Sequence, residues 1–115
     1  MLLNFSNHPT KEWTANQKNI ALEQYTTIQD LSFPSIDPHI DSSELVMLVK
    51  KYIIQIQQIN PTAIHIMGEH TFTFKMVSEL QKIDFLCIAS TTKRKAIQKG
   101  NKKTIYFDFV KFRTY

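Results

Sequence analysis

The chain has 115 residues, 43% of them hydrophobic, which is enough for one core and short for two domains. No apolar run approaches the roughly 20 residues that a bilayer-crossing helix needs, and the opening MLLNFSNHP lacks the basic flank of a secretory signal. The only cysteine, Cys87, lies inside the apolar run FLCIA, so no internal disulfide can form; a buried thiol in a reducing, cytoplasmic setting is expected.

The formal net charge is +4, but its distribution says more than its size. Lys82, Lys93, Arg94, Lys95, Lys99, Lys102, Lys103, Lys111 and Arg113 crowd the last third, opposed there only by Asp84 and Asp108. A basic end on a near-neutral body suits an anionic partner, phosphate first among them; a solvated basic loop would carry the same charge.

In chain order, Met1 to Phe5 reads as a buried first strand that breaks at Ser6-Asn7-His8-Pro9. Thr14 caps an expected helix from Ala15 to Gln24, and Thr26 to Leu31 reads as a second strand. Asp41 or Ser42 opens a helix with Leu45, Leu48, Val49, Tyr52, Ile53 and Ile56 as its buried stripe, stopped at Asn60-Pro61. Thr62 to Met67 is the third strand, followed by Gly68 and a helix from Thr71 or Thr73 to Lys82 with Phe74, Val77 and Leu80 turned inward. Phe85 to Ala89 is a fourth, central strand. Ser90-Thr91-Thr92 then leads into a basic segment, read as a helical turn ending at Lys99-Gly100-Asn101. Lys103 to Phe112 alternates as a last, antiparallel strand.

Strands alternating with helices imply right-handed crossovers and a mainly parallel sheet. The expected fold is a single Rossmann-like three-layer α/β/α sandwich over residues 1–115, strand order 2-1-3-4-5. Such an order opens a crevice between the first and third strands, where ligands of open α/β sheets bind.

Three polar segments leave the carboxyl ends of the core strands: SNHPT, GEHTF and STTKR. Each is read as preceding a helix start, where free amides favour an anion. Ser6, Asn7, His8 and Thr10 offer donors at the first; Gly68, His70 and Thr71 at the second; Ser90, Thr91, Thr92, Lys93 and Arg94 at the third. His65, on a central strand, reads as a hydrogen-bonded core histidine, and Trp13 as a cover for the core's edge. Two histidines with Glu69 lack the spacing of a zinc site. No GxGxxG, GxxxxGK[ST], CxxC or GxSxG occurs, so dinucleotide, P-loop, dithiol and α/β-hydrolase chemistries are disfavoured. The aromatic and basic FVKFRTY tail is compatible with single-strand nucleic-acid binding.

NFSNHPT, MGEHTFTFKMVSEL and IASTTKR together resemble the small CRISPR-associated proteins with a CARF-like Rossmann core, several of which are ring nucleases. The resemblance implies a homodimer that binds, and cleaves, a cyclic oligoadenylate messenger in antiviral defence without a metal or other cofactor. It assigns Ser6, Asn7, Gly68, Glu69, Thr71, Ser90, Thr91, Thr92 and Arg94 to ligand binding. His8 or His70 would carry the proton, with Lys93 and Arg94 holding phosphate charge. A non-catalytic cyclic-nucleotide or RNA-binding module of a defence system is the alternative.

Overall fold

The computed structural model describes residues 1–115 as a five-stranded sheet in the order β2-β1-β3-β4-β5. The strands are β1 (Leu2–Ser6), β2 (Ile28–Asp30), β3 (Ala63–Met67), β4 (Leu86–Lys99) and β5 (Lys102–Thr114). β1, β2, β3 and β4 run parallel, and β5 returns antiparallel to β4. The helices α1 (Ala15–Tyr25), α2 (Ser42–Ile59) and α3 (His70–Lys82) supply the crossovers, and a single 3-10 turn at Thr10–Glu12 precedes α1. This is the expected Rossmann-like α/β fold with the expected strand order. No helix is long and apolar enough to cross a membrane.

The period of two in the strands divides the core. Leu3, Phe5, Ile64, Ile66 and Cys87 face α2 and α3, where they pack with Val49, Phe72, Met76 and Leu80. Leu2, Ala63 and Ile88 face the other way, against Trp13 and Ala21. Asp41 caps α2 by accepting from the Glu44 amide at 3.1 Å. Asn60 ends that helix in the left-handed region (φ 53°), ahead of Pro61. Thr14 caps α1 as its position suggests, accepting from Gln17 N.

Two expectations need correction. Phe74 does not face inward: it is 75% exposed, and the buried stripe of α3 is Phe72, Thr73, Met76, Val77 and Leu80. Phe72 and Met76 at i, i+4 enter the larger core, which turns Phe74 to the opposite side.

STTKR and the basic residues after it form no helical turn; β4 runs unbroken to Lys99 and pairs with β5 as far as Lys99 opposite Lys102. β-branched Thr91, Thr92 and Ile97 suit a strand, and Gly100 (φ 60°) closes the hairpin. The result is an arm beyond the sheet body, roughly 25 Å long between Thr92 and Lys99 at strand rise.

Candidate functional site

The α1 face of the sheet is apolar at its base and polar at the strands' carboxyl ends. Leu2, Asn4 and Ser6 alternate onto this face, as do Ala63, His65 and Met67; Asn4 stands opposite His65 in register. His65 in turn stands opposite Ile88, two residues before Ser90. One apolar layer therefore gives way to Asn4, His65 and Ser90 across three adjacent strands, and all three join one hydrogen-bond network.

Asn4 is 1% and His65 2% exposed. His65 Nδ1 lies 2.9 Å from Asn4 Oδ1, and Nε2 lies 2.7 Å from Ser90 Oγ. Asn4 Nδ2 donates to Asp30 Oδ1 at 2.9 Å and to the His8 carbonyl at 3.0 Å. Ser6 Oγ donates to Asn4 Oδ1 at 2.7 Å, and Gln17 Nε2 donates to Ser90 Oγ at 3.1 Å. The Trp13 indole stands edge-on to the His65 ring, 5.0 Å between centroids, and donates to the His8 carbonyl. Burial, with a smaller contribution from His8, pushes the His65 imidazole down to about 4, so the ring is neutral at physiological pH.

Above this network opens a cavity of about 470 Å³. Ser6, Asn7 and His8 line it from the β1 loop, Thr14 and Gln17 from α1, and Ser90 and Thr92 from β4. Phe107 and Phe109 close it from β5. Thr92 pairs with Phe109 and Arg94 with Phe107, so Arg94 follows Thr92 on the cavity's face of the arm. Lys93 sits on the other face, paired in register with Asp108. Thr91 uses its hydroxyl to bridge β4 to Lys111 of β5, donating to its carbonyl and accepting from its amide.

The GEHTF segment lies elsewhere. Glu69, His70 and Thr71 line a different cavity of about 830 Å³, with Asp37 and Asp41 from the loop before α2. The Glu69 carboxylate caps its own helix, accepting from Thr71 N at 3.0 Å and Phe72 N at 2.8 Å. These bonds hold its carboxyl below the usual carboxylate range and fill the helix terminus that an outside anion would otherwise use. Gly68 is required by packing, because a Cβ there would run into the Phe33 ring. Cys87 is 1% exposed, and burial raises its thiol to about 11, which makes it an inert core thiol.

Ser6, Asn7, His8, Ser90 and Thr92 thus meet at one cavity, while Gly68, Glu69, His70 and Thr71 form a separate cluster. Sequence reasoning missed Asn4, Gln17 and Asp30, and it read His65 as a core residue without a wider role. A signal existed for the first and last: a polar side chain at the same depth in each of two apolar strands, LLNF and AIHIM. No group of three His, Cys, Asp or Glu side chains is placed to share a metal ion.

No curated protein and no solved structure gives a significant match to the chain. Residues 1–113 match the sequence profile of the uncharacterized protein MJ1673 family, and the chain belongs to that family.

Proposed function

We propose that the chain binds and cleaves a cyclic oligoadenylate in the cavity between α1 and the root of the arm, as a CARF-like ring nuclease acting as a homodimer in the cytoplasm. The observation that carries this reading is the meeting, at the carboxyl ends of β1 and β3 and beside Ser90 and Thr92 within β4, of a buried neutral histidine, several hydroxyl and amide donors, and the exposed ring of Phe107. Phe107, 61% exposed, offers a face on which an adenine stacks. Asn7, Gln17 and Thr92 offer hydrogen bonds to ribose and phosphate, and Arg94 brings charge along the same face of the arm. Cleavage needs only alignment of a ribose 2′-hydroxyl with its neighbouring phosphate, charge stabilisation and a proton carrier.

The test is incubation of purified protein with cyclic tri-, tetra- and hexa-adenylate in a chelator, with products separated by chromatography. Linear or 2′,3′-cyclic-phosphate products are expected, with Arg94→Ala and Ser90→Ala each slowing the reaction at least ~10-fold. His70→Ala, in the second cavity, leaves the rate unchanged. Intact rings without a thermal shift would end this reading for both catalysis and sensing.

A second reading is favoured by the arm itself. Residues 93–103 carry Lys93, Arg94, Lys95, Lys99, Lys102 and Lys103 and no carboxylate. A non-catalytic RNA-binding module would use that charge, and its affinity would fall steeply between 50 and 200 mM salt at a slope set by the phosphates contacted.

A further inference from the structure

The polarity of the buried network follows from its far end. Asp30 is a carboxylate and only accepts, so the Asn4 group 2.9 Å away must be the NH₂. That places Asn4 Oδ1 toward Ser6 and His65, where it accepts from the Ser6 hydroxyl at 2.7 Å and from His65 Nδ1–H at 2.9 Å. With the proton on Nδ1, Nε2 of the neutral ring is a bare acceptor, and the only hydrogen it meets is that of Ser90 Oγ at 2.7 Å. Gln17 Nε2 donates to the same oxygen at 3.1 Å, so Ser90 has no other need of its own proton. Asp30, Asn4, His65 and Ser90 form a one-way chain that runs from a carboxylate through an orienting amide and an imidazole to a hydroxyl at the cavity. A serine hydroxyl held to a histidine that a third group orients is the arrangement that activates an alcohol.

We propose that Ser90 is the activated hydroxyl of this cavity, with His65 as its proton acceptor and Asn4, backed by Asp30, as the positioning residue that fixes the histidine tautomer. The step it serves rests on the ring-cleavage reading; the activation of Ser90 does not. In that step the 2′-hydroxyl gives its proton to Ser90 Oγ while the Ser90 proton moves to His65 Nε2. The 2′-oxygen bonds to phosphorus as the bond from phosphorus to the 5′-oxygen breaks. The imidazolium then returns a proton through Ser90 to the leaving 5′-oxygen, and His65 is neutral again.

An alkyl fluorophosphonate reads the activation without any ring. Attack by Ser90 Oγ forms an oxygen–phosphorus bond, releases fluoride and passes the proton to His65. Wild-type protein is incubated with the probe, weighed intact and mapped by peptide mass. One adduct, on Ser90, is expected. It should be absent in Ser90→Ala and form at least ~100-fold more slowly in His65→Gln, with circular dichroism showing that both variants are folded. The wild-type map stands by itself if His65→Gln does not fold. An unmodified Ser90, or an adduct that forms at the same rate in folded His65→Gln, overturns the proposal. Labelled Ser90 with intact rings sinks ring cleavage and leaves the activated hydroxyl standing; cleaved rings with unlabelled Ser90 do the reverse.

Discussion

At the scale of single residues, His65 is the group whose burial has a measurable cost. It is neutral in the fold, with its pKa pushed to about 4 from an ordinary 6.5 by desolvation and the nearby His8. The unfolded chain binds a proton as pH drops through 6.5, while the folded chain resists until about 4, so the unfolded state holds more protons between those values. The stability linked to His65 is therefore full above 6.5 and lost progressively on acidification toward 4. Its size is of order 3 kcal/mol. Urea denaturation at pH 7, 6, 5 and 4.5 should show this slope in wild type and a flatter one in His65→Gln; equal slopes would mean that the histidine is solvated.

At the scale of elements, the local signals that end and start helices outlast the tertiary context. Asp41 terminates the loop before α2 and accepts from both the Glu44 amide and the Ser43 hydroxyl, which lower its carboxyl below the ordinary range. Its removal leaves amides of the first turn without a partner, so Asp41→Ala should lose stability, read as a lower midpoint in denaturant titration. Asp41→Asn should recover most of it, because the amide oxygen still accepts. α3 shows where local reasoning fails: its spacing admits Phe72 or Phe74 as the inward aromatic, and only the position of Phe5, Phe33 and Tyr52 selects Phe72. β4 shows a second failure. A basic run interrupted by Ala96 and Ile97 has no strong helical or strand pattern, and its extended form is imposed by register with β5.

At the scale of the whole molecule, the arm stands apart from the body. Both its faces are mixed: the α1-side face carries Phe109, Phe107 and Ile105 with Arg94 and Lys103, and the opposite face carries Tyr106 and Ile97 with Lys93, Lys95, Lys99 and Lys102. Only the root is covered: Phe109 is 8% exposed, whereas Ile105 is 45% and Phe107 61% exposed. Two strands without a packed face contribute little to stability on their own. Replacing residues 95–106 with a two-residue Asn-Gly turn, which leaves the paired Arg94 and Phe107 on either side, should therefore shift the melting temperature by no more than a few degrees. Under the proposed function the same truncation, which keeps Thr92, Arg94, Phe107 and Phe109, retains oligoadenylate binding in calorimetry, whereas RNA binding through the charge of the arm is lost. A large drop in melting temperature would instead make the arm part of the folding unit.

The sequence by itself determined the class of fold, the strand order, the capped starts of α1 and α2, and the burial of Cys87. These follow from alternation of apolar periods and from capping chemistry, which act over a few residues. It also marked Ser6, Asn7, His8, Ser90 and Thr92 as polar candidates, although Ser90 and Thr92 lie within β4 and not past its end. Only the tertiary structure decided that these five share a cavity and that His70 belongs to another, because α1 and α3 lie on opposite faces of the sheet. Only register across three strands could join Asn4, His65 and Ser90, which lie 61 and 25 residues apart in the chain.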